Sequence, residues 1–394
     1  MPEKTTGERI RARRLDRGWS LTVVADRAGI TASTLSRIER GLRGTNNRHL
    51  ISDLAAALEW SVADLTGQPY VPADRQLEAA HARIANLRTA VAETTLELAP
   101  VDGHEPAPMA QLEQRAELVI ARGIATDYAA VTDLAPALLI DLHAHAKAGN
   151  RRAAELVVNL GTPISPAFRY LGYLADSALL TERVREYAEW LGQPVPLAIA
   201  DFLRANASAA IGFRRSAAIA EQARVELDRH TDEPGALDML GMLHLTGAQS
   251  AVGQGRRGEA LDRVAEARAI AERTGQTSTA ALFFGPANVT VWELGLRVDA
   301  DEPGKAVEVA AGADVTALPK IRQGYFWLDL SRAYTAMGKP QRERAVRALL
   351  TAERAAPQFT RSAPLARETA RALRAAGGDS RDSALRGLCE RLGV

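Results

Sequence analysis

The stretch Trp19–Gly41, WSLTVVADRAGITASTLSRIERG, decides the reading of this chain. It predicts two short helices joined by a tight turn. Ser20 stands where a hydroxyl can cap the first helix. Val24, Ala25 and Ala28 give that helix an apolar stripe, and Ala25 is small where a second helix must cross closely. Gly29 follows the last helical residue, where a left-handed backbone costs glycine least. Ile30 plugs the turn and Thr31 caps the second helix, predicted over Thr31 to Arg40. Leu35 and Ile38 then face inward, leaving Ala32, Ser33, Ser36 and Arg37 outward. A second helix presented in this way is the shape that enters a DNA major groove.

The flanks extend the unit. GERIRARRLDRG before it predicts an amphipathic helix, with Ile10 and Leu15 apolar among five arginines. HLISDLAAALEWSVADLTG after it predicts a helix with Leu50, Leu54 and Leu58 on one side and a short turn ending at Leu65. Five helices in about 65 residues suffice for a small domain.

This segment resembles the Cro/C1 repressor class, also called the XRE family, in helix order, in the Ala25–Gly29–Leu35–Ile38 skeleton and in the phrase LSRIERG. The resemblance covers about the first 67 residues. It implies a DNA-contacting set of Thr31, Ala32, Ser33, Ser36, Arg37, Arg43, Asn46 and Asn47. It also implies a structural pair between Arg14 and Glu39. The family commonly has glutamine where this chain has Leu21, so the phosphate clamp there is weaker or supplied by another residue.

Charge is unevenly spread. The chain has a net charge of +1, yet residues 1–50 hold eleven basic against five acidic side chains. A basic head on a mildly acidic body is the footprint of a DNA-binding head with a non-DNA body. A length of 394 residues allows two or three domains. Cys389 is the single cysteine, which excludes an intramolecular disulfide and fits a reducing cytoplasm. No signal-peptide run and no stretch approaching ~18–20 apolar residues is present, so no membrane role is expected.

Gly67-Gln68-Pro69-Tyr70-Val71-Pro72 breaks the helical pattern, and Pro100 to Pro108 breaks it again. Between them a helix is expected from Asp74 to about Leu98. From Met109 onward helical periods run to the end. They are also repetitive. Ala248, Gly255, Ala260, Val264 and Ala267 form one tetratricopeptide-like set. Trp327, Leu330, Tyr334, Gly338, Ala345, Leu349, Ala352 and Pro357 form another. Weaker copies surround Ser216 and Ala306. Equivalent positions lie 44, 46 and 39 residues apart, longer than the ~34 of the standard repeat. The expected fold is therefore all-α: a five-helix head over 1–67, a linker and connecting helix over 68–108, and a tetratricopeptide-like α-solenoid over 109–394. FFGPANVTVWELGL and the closing LLTAERAAPQ…RETARALR resemble actinobacterial XRE regulators with C-terminal tetratricopeptide repeats.

Chemistry is sparse. His143 and His145 are two apart on an expected helix and point away from one another, which speaks against a metal site. Gly253-Gln254-Gly255-Arg256-Arg257-Gly258 follows a helix and reads as a repeat turn, not a dinucleotide loop. No catalytic, cofactor or metal constellation is recognised. The concave face of a solenoid is where peptides or small molecules bind. Asn288, Trp292, Phe284 and Tyr325 are the expected ligand contacts, with Phe283 and Trp327 beside them. The partners expected are a double-stranded DNA operator, a second copy of the chain, and a peptide or small-molecule signal. The alternative is a repeat scaffold whose head binds DNA weakly or not at all, which Leu21 favours.

Overall fold

The computed structural model describes residues 4–70, 74–100, 103–377 and 383–394. Val71 and Pro72 of the first expected break, and Val101 and Asp102 of the second, lie outside the described residues. Among the described residues there are twenty-one α-helices and no strand. None of these helices is long and apolar enough to cross a membrane. The first five are α1 (Thr6–Asp16), α2 (Leu21–Arg27), α3 (Ala32–Glu39), α4 (Arg48–Ala57) and α5 (Val62–Thr66). Then follow α6 (Arg75–Glu93), α7 (Met109–Ile124), α8 (Tyr128–Lys147), α9 (Arg151–Leu171), α10 (Leu174–Leu191), α11 (Pro194–Ser208) and α12 (Phe213–Leu227). The next are α13 (Ala236–Gly253), α14 (Arg257–Thr274), α15 (Pro286–Asp299), α16 (Pro303–Ala310) and α17 (Lys320–Ala336). The last are α18 (Arg342–Ala355), α19 (Pro357–Ser362), α20 (Pro364–Gly377) and α21 (Ser383–Leu392).

The chain forms two compact units. One comprises Met1–Ala73, Glu293–Ala313 and Gln323–Val394; the other comprises Asp74–Trp292 and Asp314–Arg322. This grouping differs from the linear order 1–67, 68–108 and 109–394, because the C-terminal helices pack with the head.

In the first unit each head helix starts on a side-chain cap. Thr5 and Glu8 form a reciprocal capping box, and Ser20, Thr31, Asn47 and Ser61 accept from backbone amides of α2 to α5. Ile10, Val24, Ala25, Leu35, Ile38, Leu54 and Leu58 make the head core, and Leu365 of α20 packs against it. Gly7 lets α1 cross α3: a Cβ there would sit 2.3 Å from the Ile38 carbonyl oxygen. The expected apolar role of Leu15 is not found, since it is 57 % exposed. Arg14, one turn after Ile10, takes the inward position instead. Further on, Ala333, Ala345, Leu349 and Ala352 are fully buried where α17 and α18 meet.

In the second unit, successive helices from α8 to α14 pack side by side in chain order, a repeat-like arrangement. The α13–α14 hairpin turns at Gly255, whose φ of +73° favours glycine. Ala248, Ala260, Val264 and Ala267 are buried between its helices. Small side chains there let the helix axes approach closely.

Candidate nucleic-acid interface

The second motif helix, α3, presents a polar face backed by an apolar one. Leu35 and Ile38 are buried, while Thr31, Ser33, Arg37 and Arg40 are exposed and Ala32, Thr34 and Ser36 are half-buried. Thr31 fixes the start of the helix: its Oγ1 accepts from Thr34 N at 3.1 Å and donates to Thr34 Oγ1 at 3.0 Å. Arg40 Nε donates to its own helix at Ser36 O, 3.2 Å away. Arg43 is exposed, and its Nη1 reaches Thr34 Oγ1 at 3.4 Å. Arg37, Arg40 and Arg43 therefore line one solvent face with the short polar side chains. Such a face can donate to phosphate oxygens and to base edges. Leu21 is half-buried and packs on the head core. As an apolar side chain it has no donor to offer a phosphate.

Arg14 and Glu39 meet behind this face. Nε and Nη2 of Arg14 lie 2.6 and 2.7 Å from the two carboxylate oxygens, and Nη1 donates to Trp19 O at 3.0 Å. Both side chains are nearly closed to solvent, 10 % and 5 % exposed. The fork holds the Arg14 guanidinium above its ordinary pKa, chiefly through its hydrogen bonds to Glu39. It ties α1 to the end of α3 and to the entry of α2. Arg14 and Glu39 thus hold the fold, while Arg37, Arg40 and Arg43 face solvent.

The segment after α3 is placed differently from the expected DNA contacts. Asn47 caps α4 with its Oδ1, which accepts from His49 N and Leu50 N, while Nδ2 donates to Asp299 O at 3.1 Å. Its side chain is thus engaged within the protein at both ends of the amide. Asn46 offers its carbonyl to Arg332 Nε at 2.8 Å. Arg48 then bridges two carboxylates, with Nη1 2.6 Å from Asp299 Oδ2 and Nη2 3.1 Å from Asp329 Oδ1. Arg332, 0 % exposed, also bonds both aspartates. Two cations and two anions thus balance in a buried cluster. Burial alone would raise the Asp299 carboxyl, but Arg332 and Arg48 hold it well below the carboxylate range. Nearby His49 is buried, and that burial pulls its imidazole down.

The expected ligand contacts have different surroundings. Asn288 is 0 % exposed, and its Nδ2 donates to Leu282 O at 3.1 Å and Phe283 O at 3.0 Å. It clamps a hook in which Ala280, Ala281 and Phe283 all have positive φ, a costly backbone for residues with a Cβ. Phe284 is buried against α13, in a slot that exists because Gly241 has no side chain; a Cβ there would lie 2.0 Å from the ring. Asn288 and Phe284 are core residues here and do not line a groove. Trp292 is half-buried with the Arg322 guanidinium 5.7 Å from its ring centroid. Burial pulls that guanidinium down to about 10. Tyr325, in the first unit, is half-buried beside Phe359, ring centroids 4.7 Å apart. Trp327 is half-buried edge-on to Phe326. His143 bonds the Tyr187 hydroxyl at 2.7 Å and His145 meets Ala107 O at 2.9 Å.

Arg48, Asp299, Asp329 and Arg332 were not legible as a group in the sequence. The spacing of Asp329 and Arg332, three apart in LDLSRAYTAMG, signals an ion pair on one helix face. Nothing local signals its link to residue 48.

Residues 6–66 match the helix-turn-helix domain family. No curated protein and no solved structure matches the chain. Residues 6–66 are a helix-turn-helix domain, in which α2 and α3 form the motif and α3 carries the basic solvent face.

Proposed function

We propose that the protein is a sequence-specific transcription regulator of the XRE type, with α3 lying in the major groove of an operator. The observation that carries this is the asymmetry of α3. Its back is locked by Leu35, Ile38 and the Glu39–Arg14 fork, while Ser33, Arg37, Arg40 and the following Arg43 remain on the solvent side. Arg37 is the residue suited to a guanine edge, where a guanidinium donates two hydrogen bonds. In this reading the protein works in the cytoplasm as a homodimer, since two such heads read half-sites about one DNA turn apart. Its body, of tetratricopeptide-like repeats, holds the dimer and takes up a peptide or small-molecule signal. It is a binding protein and not an enzyme.

The test is genome-wide binding of the tagged full-length protein, followed by gel shift on the enriched fragments. Discrete sites that shift at low protein concentration support the reading. Uniform, salt-sensitive binding to all fragments supports the repeat-scaffold alternative, which Leu21 favours by offering no phosphate donor at the start of α2.

A further inference from the structure

The loop leaving α3 is tied on both sides of Gly44. Leu42 N and Arg43 N both return to Arg37 O, at 2.8 and 3.2 Å, so residues 42 and 43 move with the last turn of α3. Only Gly44 separates them from Thr45, which is buried and donates to Glu368 Oε2 at 2.6 Å. The other oxygen of the same carboxylate accepts from Thr6 Oγ1 at 2.9 Å, at the start of α1. Directly after Thr6, Gly7 lies where a Cβ would collide with the Ile38 carbonyl. Glu368 on α20 thus holds the start of α1, which crosses α3, and the segment that leaves α3. Beyond it, the Asn46 carbonyl, the Asn47 amide and Arg48 are held by Arg332, Asp299 and Asp329.

We propose that Glu368, Asp299, Asp329 and Arg332 are positioning residues for DNA binding: the C-terminal helices set the pose of the recognition helix, through residues 45–48, without touching DNA. The proposal rests on the reading of α3 as the DNA element. An autoinhibitory latch is the rival use of such contacts. Two features argue against it. The solvent face of α3 is uncovered while the contacts are made. The cluster is charge-balanced with Arg332 and Asp299 almost wholly buried, so releasing Arg48 leaves two carboxylates to one guanidinium. A permanent seat fits that cost better than a contact meant to open.

The experiment uses the full chain and a duplex that the wild type enriches from a random pool. Thr45→Val, Glu368→Gln and Asp329→Asn are compared with wild type by fluorescence anisotropy, well below each variant's unfolding temperature. Thr45→Ser, which keeps the hydroxyl, is the rescue. Folded Thr45→Val is expected to bind about tenfold more weakly, the equivalent of one lost base contact. Its preference for the enriched over a scrambled duplex falls as well, and Thr45→Ser restores both. A purely structural role lowers the melting temperature and leaves both readings unchanged, which overturns the proposal. Tighter binding overturns it in favour of the latch. Thr45→Val alters no charge and carries the test if the other two do not fold. A wild type that enriches no sequence overturns the DNA reading and this proposal together; enrichment with unaltered variants overturns this proposal alone.

Discussion

Arg332→Met removes a guanidinium that bonds the Asn46 carbonyl, Asp329 and Asp299 at once. Asp299 and Asp329, 1 % and 4 % exposed, are then left to share Arg48. Breaking one partner out of a buried ion pair costs about 3–5 kcal/mol. The lower end applies, because Arg48 remains bonded to both carboxylates. The orphaned Asn46 carbonyl falls within that figure. Amide hydrogen exchange in α4 reads the effect locally, which matters because two units need not unfold in one step. A loss of about 3 kcal/mol is roughly a hundredfold faster exchange at amides protected by local opening. Arg332→Met with Asp329→Leu leaves Arg48 and Asp299 as a neutral pair and should regain most of the loss. Less than tenfold acceleration in the single variant would refute the reasoning. So would a double variant no better protected than the single.

Three further outcomes follow from other sites. Glu39→Ala strands the Arg14 fork and is expected to destabilise the head by about 3–5 kcal/mol, seen as an early thermal transition; Glu39→Gln, which keeps the shape and one acceptor, should lose less. Asn288→Ala frees the Leu282 and Phe283 carbonyls from their clamp, at about 1–3 kcal/mol, and limited proteolysis should then cut within 276–285 where the wild type resists. His49 gives a pH effect. Burial first, then Arg48 and Arg332, depress its pKa below the ordinary value, with Asp299 opposing. A depressed histidine contributes stability that is present above about pH 6.5, the unfolded value, and is lost as pH falls towards the folded one. The wild type should therefore lose more stability than His49→Gln between pH 7.5 and 5; parallel curves would rule this out.

What the sequence disclosed was local. The caps at Ser20 and Thr31, the turn at Gly29 and the inward Leu35 and Ile38 depend on neighbours within four residues, and all occupy those places. Leu15 misled because apolar character alone was read as burial, whereas Arg14, one turn after Ile10, fills the inward position with Glu39 as its partner. Of the ion cluster only the Asp329–Arg332 spacing was legible: residues 48 and 299 join it only through tertiary packing. Asn288 misled in the opposite sense. An amide one turn before a tryptophan suggests recognition, but here it clamps carbonyls of a hook whose alanines carry no sign of positive φ. The small residues at Ala248, Ala260 and Ala267 showed in advance where two helices cross.

The central claim is that α3 reads bases, and selection from a random duplex pool tests it most directly. Full-length protein and Arg37→Ala are each put through selection, and the enriched sequences are compared position by position. The account expects the wild type to enrich a motif with half-sites about one DNA turn apart. It expects Arg37→Ala to lose preference at one position in each half-site, by about 1–3 kcal/mol, while the flanking preferences persist. No enrichment by the wild type, or an identical motif from Arg37→Ala with uniformly weaker binding, would contradict it.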